Sequence, residues 1–263
     1  MDSLTISLGF DPGVLQQIRF FPALRNTDVL VFPELVDGGY AALAQGAAPH
    51  HADDLYVRAF RVASRKFSLC CIAGSVHLRT PPSSLTNTSI TFSRGRRIHR
   101  YDKIHLFGPS GDPGYFQRGK RIETFAIRSG ALLLRVGVVL CYDLRFPELV
   151  RALALQGMRL LVVPARWPRE RDEAWRTLLR ARAIENQIFV VGCNAVDSEG
   201  GFSYAFDPFG KPIFSNRGAL CRLLQSFSIS PMALARARQH HDNLAEAVLL
   251  KPLVRRQKLE AGV

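Results

Sequence analysis

The chain has no C-x-x-C pair, and its five cysteines (Cys70, Cys71, Cys141, Cys193 and Cys221) are an odd number. That argues against a disulfide framework or a structural zinc site and for a reducing compartment, the cytoplasm. Long hydrophobic runs are also missing. Arg135 interrupts the run that leads to Cys141, and Arg159 and Arg166 bracket the run at 160–165, so no bilayer span is expected. The opening residues, MDSLTISLGF, lack the basic start and apolar stretch of a secretory signal. No repeat, low-complexity tract or linker is present. Acidic residues are few, 22 Asp and Glu against 35 Lys and Arg, for a net charge of +13. Such a balance raises nucleic acid or an anionic surface as a partner. The basic residues are spread, however, with small clusters at 94–100, 166–182 and 255–258 and no nucleic-acid-binding signature. A solvated basic surface, or arginines at subunit contacts, is the reading; nucleic acid and membrane are not expected partners.

What is present is a chain of 263 residues, 47% hydrophobic and 22% charged, ordinary values for a globular protein with a substantial core. Apolar, β-branched runs predict strands at 4–10, 28–32, 69–78, 87–92, 136–140, 160–163, 188–194, 202–206 and 221–229. Helices are predicted at 11–21, 53–67, from Pro147 onward, at 170–186 and at 231–239. Turns are expected at 80–84, 93–97 and 199–201, loops at 43–51 and 108–119, and a basic tail from 250. Strands and helices alternate to the end, so one α/β domain spanning 1–263 is the economical organisation.

The stretch 131–148, ALLLRVGVVLCYDLRFPE, carries a buried strand into a short polar link and then into a helix whose first turn suits Pro147. Cys141 stands at that exit. A thiol there lies near free backbone N–H groups and the positive end of a helix, which favours thiolate. Two other reactive side chains end or follow strand-like runs: Glu34 after DVLVFP and Lys103 in YDKIHLF. Each alone is weak evidence, since an exposed acid, a surface cation and a core thiol are common. Together they form a coherent set. A thiol attacks an electrophilic carbon, a carboxylate moves protons, and an ammonium supports developing negative charge.

VFPE, YDKIHLF and GVVLCYDLRFPEL, in this order, resemble the nitrilase (carbon–nitrogen hydrolase) superfamily, and the long CYDLRFPEL match is the specific one. PARWP at 164–168, RARAIENQIFVVGCN at 180–194, GFSYAFDPFG at 201–210 and ISPMALARAR near the end extend the resemblance over nearly the whole chain. It implies a four-layer α-β-β-α sandwich, paired as a homodimer through an extended sheet. It also implies Cys141 as nucleophile, Glu34 as general base and Lys103 as third member of a triad. Glu34 would take the thiol proton as Cys141 attacks an amide carbon. Lys103 and the backbone N–H of Tyr142 would hold the oxyanion. A thioester on Cys141 would then be hydrolysed, with no metal or organic cofactor. CYDLRFPEL and YDKIHLF resemble the amidase-type relatives more than the nitrile hydrolysers.

The sequence departs from the family pattern at several points. A second glutamate is common seven residues before the glycine matched by Gly119; here that residue is Asp112, one methylene shorter, which reads equally as a plain Asp-Pro-Gly turn residue. Arg166 stands before Trp167 where relatives carry small or amide side chains, and these two are the expected substrate-binding residues. Arg166 would narrow the pocket or select an anion; with Arg169 and Arg171 it points to a carboxylate-bearing, omega-amidase-like amide, because guanidinium pairs with carboxylate bidentately. The segment 197–203 and the first helix look shortened. These departures keep a second reading open, a non-catalytic descendant of the fold that binds a partner or anion. The adjacent pairs His50-His51 and His240-His241 lack metal-ligand spacing. Cys70 and Cys71 in one strand face opposite sides and read as core. His105 shares a face with Lys103 if that segment is extended. Asp143 is expected to cap the helix after Cys141, and Glu148 to meet its dipole.

Overall fold

The structure, a computed structural model, describes residues 3–17, 20–52, 54–80, 84–217, 223–239 and 241–246. Cys221, His240, the 81–83 part of the expected turn and the basic tail lie outside the described residues. Thirteen strands among those residues form two sheets. The first holds β1 (Leu4–Gly9), β2 (Val29–Val31), β3 (Cys70–Ile72), β4 (Val76–Thr80), β5 (Ser84–Ser93) and β6 (Arg96–Asp102). The second holds β7 (Phe125–Ser129), β8 (Leu132–Val138), β9 (Leu160–Ala165), β10 (Phe189–Asn194), β11 (Tyr204–Phe206) and β12 (Pro212–Ser215) in consecutive order. The chain then returns to the first sheet, where β13 (Leu224–Ile229) pairs antiparallel with β1, Leu4 opposite Ile229.

Side-chain alternation along the strands decides the layers. Leu4, Ile6 and Leu8 of β1, with Val29, Val31, Cys70 and Ile72, share one core with Val136, Val162 and Val191 of the second sheet. Leu30, Phe32 and Cys71 turn the other way, onto Val57, Phe60 and Ala63 of the helix Leu55–Lys66. Cys70 and Cys71 therefore do lie on opposite faces, both buried. The far side of the second sheet is covered by the helices Pro147–Leu155 and Asp172–Asn186 through Leu149, Leu153, Trp175 and Leu179. The result is a four-layer α-β-β-α sandwich. Each aliphatic side chain so buried contributes roughly 1.5–3 kcal/mol, so the double core dominates the fold's stability.

Several elements differ from the sequence expectation. The expected strand 69–78 is broken into β3 and β4, which pair with the same strand β5. The break falls at Gly74, whose φ is +61°; a Cβ there would lie 1.9 Å from the Pro33 carbonyl oxygen. Only glycine allows the 32–36 segment to cross so closely. Of the expected helix 11–21, residues 18–19 lie outside the described residues, and the described part holds a 3-10 turn, Pro12–Leu15, capped by Asp11, which accepts from the Gly13 N–H at 2.6 Å. A separate helix, Phe21–Arg25, starts with Pro22 in its first turn. The short strands β7 and β12 and the helix Gly39–Ala44 were not legible as periodic runs.

Candidate active site

Glu34 follows the buried strand β2, and the crossing at Gly74 fixes its approach. Ser75 holds the segment at three points: its N–H donates to Pro33 O (3.2 Å), its carbonyl accepts from the Val36 N–H (2.9 Å), and its hydroxyl accepts from the Leu35 N–H (2.9 Å). Leu35 adopts φ +44°, an unfavourable conformation for a branched side chain. The Glu34 side chain is wholly buried. Its Oε1 accepts from Lys103 Nζ (2.8 Å) and Asn87 Nδ2 (2.9 Å), and its Oε2 from the Arg166 N–H (3.2 Å). A buried carboxylate needs such partners to remain charged.

Lys103 lies one residue beyond β6. Its backbone N–H donates to Asn87 O at 2.9 Å, continuing the pairing with β5, so the side chain turns inward. It is 1% exposed. Nζ also donates to Asp112 Oδ2 (2.7 Å) and to the Tyr40 hydroxyl (3.4 Å). Burial alone would pull the ammonium pKa down, but the negative charge gathered around it, Glu34 foremost, raises it well above the ordinary lysine value. Burial, with Glu34 next, likewise pushes the Tyr40 phenol far up. Asp112 is therefore more than a turn residue. It is fully buried and also accepts from the Phe107 N–H (3.1 Å) and the Ser110 hydroxyl (2.9 Å). A tight 3-10 turn, Gly108–Ser110, leads into it through Gly111 at φ +81°.

Cys141 begins a 3-10 turn, Cys141–Arg145, between β8 and the helix that Pro147 opens. Its φ is +44°, outside the ordinary range for any residue but glycine, and the fold must hold it there. Asp143 does so. Fully buried, it accepts from the Leu140 N–H (3.1 Å), the Tyr101 hydroxyl (2.7 Å), and the N–H and Nδ1 of His105 (2.8 Å each). Asp143 thus caps the Cys141 turn itself, not the following helix. His105 points to Asp143 and stacks on Phe146 at 3.6 Å, away from the Lys103 ammonium. The expectation of a thiolate at this turn is overturned. Burial first, and the neighbouring Glu34 carboxylate second, push the Cys141 thiol well above its ordinary value, against the opposing pull of Lys103 and the Arg166 N–H. Both burial and the facing carboxylate thus favour the protonated form of the thiol.

Of these side chains, Lys103 and Cys141 reach a cavity of about 480 Å³; Glu34 and Asp112 lie buried behind them. Tyr40, Phe107, Tyr142 and Trp167 wall it. The Phe107 and Tyr142 rings are 4.9 Å apart. Asn194 fixes Trp167, accepting from its N–H and donating to its carbonyl, each at 2.8 Å. At the mouth, the Arg145 guanidinium lies 4.8 Å over the Trp167 ring, and that of Arg171 lies 5.8 Å from the Phe107 ring. Neither has a carboxylate partner among the described residues.

Arg166 corrects the sequence expectation. It borders the cavity, but its guanidinium is occupied by protein acceptors. Nε donates to Glu34 O (2.9 Å), Nη2 to Leu35 O (3.0 Å), and Nη1 to Asp197 Oδ2 (2.5 Å) and Glu199 Oε2 (3.1 Å). Four of its five N–H donors are thus engaged within the protein. Arg169 sits instead over Phe202, at 5.4 Å. Of the three arginines expected to meet a substrate carboxylate, Arg171 is the one that presents a free cation to the cavity among the described residues. Arg145 was missed in the sequence, although it lies within CYDLRFPEL, as were Tyr40, Asn87 and Glu199, which no periodicity marks. Among the described residues, no group of His, Cys, Asp or Glu is placed to hold a metal ion, and no helix is long and apolar enough to cross a membrane.

Known proteins are similar to this chain in sequence and in fold. The family model described as carbon–nitrogen hydrolase matches residues 16–220. A 2-oxoglutaramate amidase of Paenarthrobacter nicotinovorans is 43% identical over 230 residues, 80% of this chain and 77% of that protein. Omega-amidase YafV of Escherichia coli K12 is 36% identical over 201 residues, 74% of this chain and 75% of that one. Among solved structures, a Saccharomyces cerevisiae member of branch 10 of the nitrilase superfamily shares the fold, with a TM-score of 0.76 at 23% identity over 90% of this chain and 94% of that one.

Proposed function

This chain belongs to the carbon–nitrogen hydrolase family, and from that premise we propose that it hydrolyses a small linear carboxamide bearing a carboxylate to the corresponding acid and ammonia. The observation that carries the proposal is the Glu34 carboxylate, held at 2.8 Å from the Lys103 ammonium behind the Cys141 side chain that lines the cavity. Glu34 takes the thiol proton as Sγ attacks the amide carbon, so no free thiolate has to be sustained in a buried site. Lys103 and the Tyr142 N–H stabilise the oxyanion of the tetrahedral intermediate. Glu34 returns the proton to the departing nitrogen, ammonia leaves, and an acyl thioester remains on Cys141. Water, deprotonated by Glu34, attacks the thioester and releases the acid and the thiol. Asp112 keeps Lys103 in place and charged. The mechanism uses these side chains and one water for each turnover.

The carboxylate-bearing substrate is supported by the two guanidiniums at the mouth, Arg145 and Arg171, which have no carboxylate partner among the described residues, with Arg166 engaged elsewhere. Relatives named 2-oxoglutaramate amidase and omega-amidase support the same class. A panel of dicarboxylic-acid monoamides and neutral amides of matched length, scored for ammonia release, tests it. Wild type is expected to turn over the monoamides, Cys141→Ala to release none, and Arg145→Ala and Arg171→Ala to raise KM for monoamides only. No release from any amide, with Cys141 inert to iodoacetamide, would instead establish a non-catalytic member of the fold.

A further inference from the structure

We infer that Arg166, with Asp197 and Glu199, is a latch that positions the proposed base Glu34 and the helix carrying Tyr40. The inference rests on the reading of Glu34 as the group that exchanges a proton with Cys141. Three chain segments meet at one guanidinium. From the 34–35 segment, the carbonyls of Glu34 and Leu35 accept at 2.9 and 3.0 Å. From the turn after β10, Asp197 and Glu199 supply carboxylates. From the helix Gly39–Ala44, the N–H groups of Tyr40 and Ala41 donate to the two oxygens of the same Glu199, at 3.0 and 2.8 Å. The Arg166 N–H, moreover, binds Glu34 Oε2 directly at 3.2 Å. One residue thus grips Glu34 by backbone and carboxylate together, and through Glu199 it ties the Tyr40 helix to the same point.

The seat is shaped for this side chain. Gly39 has φ +71°, and a Cβ there would lie 2.6 Å from the Arg166 Cζ and 2.3 Å from Glu199 Oε2, so a side chain at 39 would evict the guanidinium. Arg166 itself is buried, its side chain 6% exposed, whereas Glu199 is 26% and Asp197 48% exposed. The carboxylate end of the latch faces solvent at the cavity rim and the other end touches the base. Arginine suits this task because its planar fork reaches several acceptors at once, which a lysine does not. The strained φ of Leu35, +44°, is the kind of backbone that needs such over-determination.

Glu199→Gln is the informative variant, because it weakens the latch at a partly exposed carboxylate and leaves the buried guanidinium in place. Two readouts are needed: amide turnover, and the pH profile of Cys141 alkylation by iodoacetamide, which requires no substrate. A latch predicts a drop in kcat of about tenfold with KM little changed, since small misplacements of a catalytic group cost rate steeply. It predicts an alkylation profile displaced to lower pH, because a Glu34 drawn back no longer opposes thiol ionisation. Arg166→Lys should show both effects, and the double variant should be no worse than Arg166→Lys alone. Wild-type kcat and an unmoved alkylation profile in Glu199→Gln would overturn the latch, as would additive losses in the double variant. If wild type cleaves no amide yet the profile still moves, the latch stands and the amidase proposal falls.

Discussion

At the residue scale, Glu34 bears on the Cys141 proton in opposite senses at rest and in the proposed reaction. The carboxylate that would accept the thiol proton is also, after burial, the main reason the thiol holds it. Replacing Glu34 by Gln removes that opposing charge and leaves Lys103 in place. Two effects of opposite direction are therefore expected from Glu34→Gln. Amide turnover should fall by about 10²–10⁴, the usual contribution of a positioned general base, while the thiol titrates at lower pH than in wild type. Alkylation rates measured across a pH series check the second effect. A thiol titrating unchanged or higher would mean that Glu34 does not face it. The types of these residues were readable in the sequence because a reactive side chain at the exit of an apolar strand is conspicuous. Asp143 was misassigned to the next helix because its partners, Tyr101 and His105, come from some forty residues away. Arg166 was misread for a related reason: an arginine beside a cavity looks the same in sequence whether its donors are free or taken.

At the element scale, the site depends on a strand that fails to be continuous. An apolar run from 69 to 78 reads as one strand, and its residues do pair with one neighbour, β5, over nearly that whole length. The interruption at 73–75 lets the Glu34 segment lie across the sheet. Nothing in hydrophobic periodicity announces it; only Gly74 hints at a bend. A Gly74→Ala protein should lose about 1–3 kcal/mol of stability, as overpacked sites do. It should lose amide turnover more severely than stability, because the displaced atoms are the Pro33 carbonyl and, with it, Glu34. Denaturant melts and turnover measured on the same preparation check this. Full activity in a normally stable variant would show that the crossing does not set the position of Glu34. The strands of the double core were legible because burial on both faces demands unbroken apolar residues. β7 and β12 were not: each is short and half-exposed, and strand pairing alone defines them.

At the scale of the whole molecule, the charge of +13 bears on the proposed anionic substrate. A cationic molecule with arginine guanidiniums at the mouth of its cavity attracts small anions and raises their rate of encounter. For a dicarboxylic-acid monoamide, kcat/KM should therefore fall several-fold between low salt and about 0.5 M salt, where the screening length is only a few ångströms. For a neutral amide of the same length it should hardly change. Equal salt dependence for both would mean that the arginines at the mouth do not attract the substrate. The sandwich itself was legible through the family motifs, which span nearly the chain. Which of the many arginines are free was not, because that is decided by contacts between segments distant in sequence.

Covalent chemistry at Cys141 is the central claim, and its most direct measurement is the intact mass of the protein, acid-quenched during turnover of a dicarboxylic-acid monoamide. The expected result is a species heavier by the substrate less ammonia, mapped by peptide to Cys141 and absent from Cys141→Ala. Ammonia released by wild type with no such adduct, and undiminished in Cys141→Ala, would contradict it.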